Sequence, residues 1–222
     1  MQQSDSGRKR RLRQHVNPLN FRHEVELPRW AERFARPELP MEVDVGCGHG
    51  DFLVGLAASR PDLNVVGLEI RRGMAERVQR RIEREELPNA TVVFCSANQH
   101  LRALFAPGSL QTVHVYFPDP WFKKRHHRRR VMTPELVADV HQALVPGGEL
   151  RFMTDFGDYA AEVVELMGVQ PGFEDVYGGA PAPPDPGRPH THREEWHTSQ
   201  GHPVHRHVWR KLAAAAGAEP VR

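Results

Sequence analysis

The feature that most constrains this chain is a regular exchange of two hydrophobic periods. Short β-prone apolar runs alternate with stretches whose apolar residues recur every three or four positions. Met41–Val45 reads as a buried strand, followed by a glycine-rich turn and a helix with Leu53, Leu56 and Ala57 on its apolar face. Asn64–Glu69 is a second strand, and Met74, Val78 and Ile82 stripe the charged helix after it. Thr91–Cys95 is a third strand, Leu101, Leu104 and Phe105 mark a short helix, and Thr112–Phe117 is a fourth strand. Thr133-Pro134-Glu135 opens the next helix with an N-cap and a proline at the first helical position. Leu136, Val137, Val140 and Leu144 form its apolar face, and Pro146-Gly147-Gly148 stops it. Glu149–Thr154 is a fifth strand, and residues 158–168 are helical again. Such alternation, with no internal repeat, predicts one doubly wound α/β domain whose mostly parallel sheet is covered on both faces. A Pro- and Gly-rich stretch over 171–191 reads as a long surface loop after a possible strand at Phe173–Tyr177. The alternating Val204–Leu212 is the expected antiparallel C-terminal strand.

The 222 residues suffice for one domain with extensions, read here as 15–222 behind a basic arm of residues 1–14. Near the start of the domain, Trp30 and Phe34 share one face of a short helix. The formal net charge is only +2, but its distribution is uneven. Arg8–Arg13 holds five basic residues in six, and Lys123–Arg130 holds six Lys or Arg plus two His. The remainder is net acidic, an asymmetry that points to a polyanionic partner. Cys47 and Cys95 have no metal spacing and predict a reducing compartment. No apolar run is long enough to cross a membrane, and the first residues have no hydrophobic leader, so a soluble, cytoplasmic protein is expected.

Two stretches carry chemistry. Gly46, Gly48 and Gly50 stand at alternate positions after the first strand, where backbone must approach a ligand closely. Glu69 ends the second strand, the place from which a carboxylate reaches the ribose of an adenosine cofactor in doubly wound sheets. A dinucleotide fingerprint would want glycine where Asp51 stands. Asn98, after the third strand, has the donor and acceptor to read an adenine edge, and serves equally well as a helix N-cap. The second stretch runs from Phe117 to Arg130. Asp119 lies between Pro118 and Pro120, which hold the backbone extended, with Trp121 beside it and the basic run behind. Pro-Asp-Pro alone is often only a turn, and a basic run only a solvated face; their adjacency at a strand end favours a site.

The acidic Asp44 followed by G-x-G-x-G resembles the first motif of class I S-adenosylmethionine-dependent methyltransferases, which implies their Rossmann-like fold and S-adenosyl-L-methionine as cofactor. In that resemblance Asp44 faces the amino end of the methionine moiety, with Gly46, Gly48, Gly50, Glu69, Asn98 and Asp119 completing the cofactor site. Pro118-Asp119-Pro120-Trp121-x-Lys123-x-x-His126-x-x-Arg129-Arg130 is similar to the signature of the tRNA (guanine-N7-)-methyltransferase family, bacterial TrmB type. Thr154-Asp155 with Tyr159, Thr191-x-x-Glu194, and Gly201-His202-x-Val204 agree with it, over roughly residues 12–211. The chain departs from the family in carrying Asp44 where Glu is usual, and His205-Arg206-His207 after the G-H-x-V stretch.

The resemblance implies methyl transfer to N7 of the variable-loop guanosine of tRNA (position 46), giving 7-methylguanosine. It makes Asp119 the catalytic candidate and Lys123, Asp155, Thr191 and Glu194 the guanosine contacts. Arg128, Arg129 and Arg130, with the Arg8–Arg13 arm, would hold the phosphate backbone. Trp121 is either a stacking partner for a base or an anchor for its own loop. The C-terminal histidines His190, His192, His197, His202, His205 and His207 come without an H-E-x-x-H or C-x-x-C pattern, so no metal is assigned. No obligatory protein partner is expected. Two other readings stay open on the residues: a class I methyltransferase for another acceptor, and a non-catalytic RNA-binding module on the same fold.

Overall fold

A computed structural model describes residues 16–213. The basic arm read over 1–14 lies outside the described residues.

Seven strands form one sheet in the order β3-β2-β1-β4-β5-β7-β6. The first five, β1 (Met41–Val45), β2 (Asn64–Glu69), β3 (Ala90–Phe94), β4 (Leu110–Tyr116) and β5 (Leu144–Thr154), are mutually parallel. β7 (His205–Lys211) runs antiparallel to β5, and β6 (Phe173–Asp175) antiparallel to β7. The mostly parallel sheet with an antiparallel C-terminal strand is therefore present as expected. Every residue of β1 and β2 is buried, as strands covered on both faces must be.

On one face α2 (Asp51–Ser59) and α3 (Arg72–Arg84) pack Phe52, Leu53, Leu56, Val78 and Ile82 against Val65 and Ala90. On the other, α4 (Ala97–Leu104), α5 (Pro134–Ala143) and α6 (Gly157–Gly168) bury Leu101, Leu136, Val140 and Val163 against Val43, Val113 and Leu150. The start of α5 is as read, with the Thr133 hydroxyl accepting from the Leu136 N–H at 3.2 Å. The short α1 (Trp30–Arg33) lays Trp30 flat on Phe105, with ring centroids 5.3 Å apart, and the indole N–H donates to the Leu104 carbonyl at 2.8 Å.

Two expectations need correction, and a third gains detail. β5 begins at Leu144, because Pro146-Gly147-Gly148 forms an irregularity inside the strand rather than a stop before it. A Cβ at Gly148 would come within 2.9 Å of the Gln111 carbonyl, so the close approach itself calls for glycine. The 171–191 stretch is largely exposed, as read, and follows a strand shortened to Phe173–Asp175, but it is tied to the body of the domain. It crosses the α2 face of the sheet, where Arg188 reaches Glu42 and Pro189 sits so close to Gly55 that a Cβ there would lie 2.9 Å away. Finally, a helix over His192–Ser199 (α7) follows that crossing, where the sequence reading has none. Its signal is the Thr191-x-x-Glu194 pattern, which is also a helix-start signature: the Thr191 hydroxyl accepts from the Glu194 N–H at 3.0 Å.

Candidate functional site

The order of the sheet reverses between β1 and β4, and the crevice beyond the carboxyl ends of those strands is where ligands bind in such sheets. Gly46, Gly48, Glu69, Asp119 and Asp155 all follow or end parallel strands at that edge. Gly46, Gly48 and Gly50 have φ of +76°, +57° and +78°, open to glycine and strained for other residues. The turn is tied to β2 by the Gly46 N–H on the Leu68 carbonyl at 2.7 Å and the Gly48 N–H on Glu69 Oε2 at 3.0 Å. At Gly50 a Cβ would lie 2.5 Å from Val78, so this glycine serves helix packing.

Two carboxylates flank the turn. Asp44 is buried, and burial together with the nearby charge of Glu69 pushes its pKa up to about 7. Glu69 is also buried; its carboxylate accepts from the Arg71 N–H at 2.8 Å and from Arg71 Nε at 2.9 Å. A buried acid held near neutral pH beside a second carboxylate is chemistry suited to an ammonium and a ribose. A pyrophosphate would be repelled. The open glycine backbone and the two acids thus fit the methionine and ribose ends of S-adenosylmethionine. Arg71, absent from the sequence reading, bridges the halves of the crevice: it hydrogen-bonds Glu69 and lies within electrostatic reach of Asp119.

The Asp119 loop is built with stored strain and many ties. Phe117 and Trp121 have φ of +47° and +45°, a region non-glycine residues enter only when surroundings impose it. The surroundings are specific. The Phe117 N–H donates to the Met153 carbonyl at 2.7 Å. Arg129 lies over the Trp121 ring at 5.0 Å, and His126 meets that ring edge-on. Trp121 is thereby an anchor of its own loop. Arg130 is the keystone: Nε donates to the Pro120 carbonyl at 2.7 Å, the guanidinium pairs with Glu162, and it stacks 4.4 Å over Tyr159. At 4 % exposure Arg130 cannot hold RNA phosphate, which corrects that assignment. Arg129 is partly covered in bracing Trp121, while Lys123 and Arg128 remain exposed.

Asn98 also receives a structural task. It lies in the first turn of α4 and is not its N-cap, which is Ser96. Its amide nitrogen donates to the Val131 carbonyl at 2.7 Å, tying α4 to the end of the basic loop. Among the described residues no group of three or more His, Cys, Asp or Glu is placed to hold a metal ion.

On the β5 side, α7 lies over the crevice. Asp155 Oδ2 is 2.7 Å from an Arg193 nitrogen and 2.9 Å from His197 Nε2. His197 stacks on Phe117 with centroids 6.1 Å apart, and Arg193 lies 5.6 Å over the same ring. Thr191 caps α7, and Glu194 is buried on Arg206 at 2.7 Å and His190 at 3.1 Å. The Thr191–Glu194 pair thus holds α7 in place over Asp155 and Phe117. The resemblance drawn from the sequence makes the same pair guanosine contacts.

A buried polar network under the 171–191 crossing also escaped the sequence. Glu42 accepts from Arg188 at 2.7 Å and lies 2.8 Å from His114 Nε2, whose Nδ1 is 2.9 Å from the Tyr116 hydroxyl. Burial opposes the Glu42 charge, but His114 and Arg188 more than offset it, and its pKa falls. Burial brings His114 down to about 4, so it is neutral at physiological pH. The network pins the chain just ahead of α7.

This sheet order, glycine turn and pair of carboxylates define a class I methyltransferase that uses S-adenosylmethionine. Solved structures of the class superpose accordingly. The antibiotic-resistance methyltransferase Kmr matches with a TM-score of 0.55 at 16% identity, covering 84% of this chain and 91% of its own. SMU.1697c of Streptococcus mutans, described as "a putative methyltransferase" and solved with SAH, matches with a TM-score of 0.53 at 12% identity over 78% of this chain and 89% of its own. Residues 38–207 match a family model described as "Putative methyltransferase". A tRNA (guanine-N(7)-)-methyltransferase of Synechococcus sp. (strain JA-3-3Ab) is 40% identical over 204 residues, 90% of this chain and 86% of the relative. Another from Synechococcus sp. (strain CC9311) is 38% identical over 91% of this chain and 89% of its own length. The chain belongs to the tRNA (guanine-N(7)-)-methyltransferase family.

Proposed function

We propose that this chain transfers the methyl group of S-adenosylmethionine to N7 of a guanosine in the tRNA variable loop, position 46. The observation that carries this reading is Asp119, set in a strained, many-tied loop between a cofactor turn and an exposed basic run, in a chain about 40% identical over most of its length to relatives named for that activity. The bound cofactor supplies an electrophilic methyl group on a sulfonium. Guanine N7 carries an in-plane lone pair at neutral pH, so the residues need no strong general base. Their work is to place N7 in line with the methyl and to stabilise the cationic guanine that forms.

Asp119 accepts from the guanine N1–H and exocyclic N2–H₂ and opposes the developing positive charge. Its loop is fixed beforehand by Arg130, Trp121 and Tyr159, so little reorganisation accompanies the reaction. Asp44 and Glu69 take the amino and ribose ends of the cofactor. Asp155 reaches the guanosine by exchanging its contacts with Arg193 and His197 for substrate. Lys123 and Arg128, exposed beside the pocket, meet phosphates. Incubation with labelled S-adenosylmethionine and unmodified tRNA, followed by nucleoside analysis, tests the reading. Labelled 7-methylguanosine is expected, and it disappears when the variable-loop guanosine is replaced. Label in another base, or transfer that survives that replacement, refutes it.

A further inference from the structure

Two aromatic side chains stand in water at the mouth of this site. Phe122 directly follows the Pro118-Asp119-Pro120-Trp121 turn and is 71% exposed, and Trp196 on α7 is 49% exposed. Neither ring dangles. Phe122 meets Phe156 edge-on with centroids 5.0 Å apart, and Phe156 is the residue after Asp155. Trp196 meets His197 edge-on at 4.8 Å and His202 at 5.4 Å. His197 in turn lies 2.9 Å from Asp155 Oδ2. Each exposed ring is therefore one ring away from the surroundings of the same carboxylate.

The surface between and around them decides what could cover them. Lys123, Lys124 and Arg125 follow Phe122 and are exposed, and Arg193 stands half-exposed one turn before Trp196. A lipid surface or an apolar protein face wants a continuous hydrophobic patch. Isolated flat rings set among cations fit a ligand that is itself flat, apolar in its faces and anionic along its backbone, namely unpaired nucleotides. We propose that Phe122 and Trp196 are stacking plates for the nucleobases that flank the methylated guanosine. The proposal rests on the tRNA reading and deepens it. A guanine whose N7 must meet the cofactor methyl leaves its own stack, and its neighbours lose a partner. A ring at the pocket mouth restores that partner. Phe122 has no polar atom, so its plate accepts any base.

The test uses the full chain with S-adenosylhomocysteine and tRNA, and compares Phe122→Ala, Trp196→Ala, Phe122→Tyr and Phe122→Leu. Each alanine variant is expected to weaken tRNA binding about tenfold. The slope of log Kd against log salt stays that of the parent chain, because no phosphate contact is lost. Phe122→Tyr restores the affinity and Phe122→Leu does not. With 2-aminopurine placed next to the target guanosine, fluorescence is quenched by the parent chain and recovers with Phe122→Ala. Unchanged affinity in both alanine variants, a shallower salt slope, or full rescue by leucine overturns the proposal. If the parent chain methylates tRNA while these readouts fail, only the stacking plates fall. If the parent chain neither binds nor methylates tRNA, the reading beneath them falls.

Discussion

Asp44→Asn separates the cost of the cofactor site from its use. In the folded chain Asp44 titrates at about 7 instead of its ordinary 3.8. An acid whose pKa is raised by folding holds a proton that the unfolded chain has released. Stability is therefore lost as pH rises from about 4 to about 7, and the loss then stays constant. At about 1.4 kcal/mol per unit, the cofactor-free chain gives up about 4 kcal/mol by pH 8. A neutral amide at this position has no such cost. The variant is expected to match the parent near pH 4 and to exceed it by about 4 kcal/mol, or about 10 °C in Tm, at pH 8. Comparing variant with parent at each pH matters, because His114 acts in the opposite direction. Its pKa of about 4 in the fold makes the chain less stable as pH falls from about 6.5 toward 4. Cofactor affinity should move the other way, since an ammonium pairs with the ionised carboxylate. The parent should bind S-adenosylmethionine more weakly below pH 7, and the variant poorly at every pH. Denaturant unfolding without cofactor, and calorimetric titration with it, measure the two effects. A variant no more stable than the parent at pH 8 would refute the account of Asp44 as a strained, cofactor-neutralised acid.

Asp119→Ala should abolish methyl transfer while S-adenosylmethionine still binds by calorimetry; full activity would remove Asp119 from the site. Arg130→Met leaves Glu162 and the Pro120 carbonyl without their partner and frees the loop. It should destabilise the chain by about 1 to 2 kcal/mol in denaturant unfolding, chiefly through the buried Pro120 carbonyl left without its donor, and raise KM for tRNA with the salt slope intact. Lys123→Ala and Arg128→Ala should each lower that slope by about 0.7 to 0.9 without changing stability; an unchanged slope would place them away from phosphate. Arg188→Met uncovers a buried Glu42 carboxylate and lets the chain ahead of α7 loosen. Lower stability and faster proteolytic cleavage near residues 180–190 are expected, and resistance equal to the parent would show that other contacts hold the crossing.

The sheet, its order of helices and the cofactor turn were legible in the sequence because they rest on local signals. Val43 and Val45 must be buried if β1 is central, Met74, Val78 and Ile82 fall on one face of α3, and glycine takes the positive φ of Gly46 and Gly48 without strain. The turn that carries Asp119 was legible for the same reason, since two prolines act on their immediate neighbours. What the sequence could not decide was which cations and carboxylates are spent inside the protein. Arg128 and Arg130 look alike in a basic run, yet one is exposed and the other lies buried against Tyr159 and Glu162, contacts that come from α6 about thirty residues on. The Arg206 that holds Glu194 comes from β7, and Glu42 reads as an ordinary strand residue until the 171–191 crossing brings Arg188 across 146 positions of chain. Periodicity and turn chemistry act over a few residues and are written in order along the chain. The partner of a charge is chosen by the packing of distant elements, and only the folded molecule makes that choice.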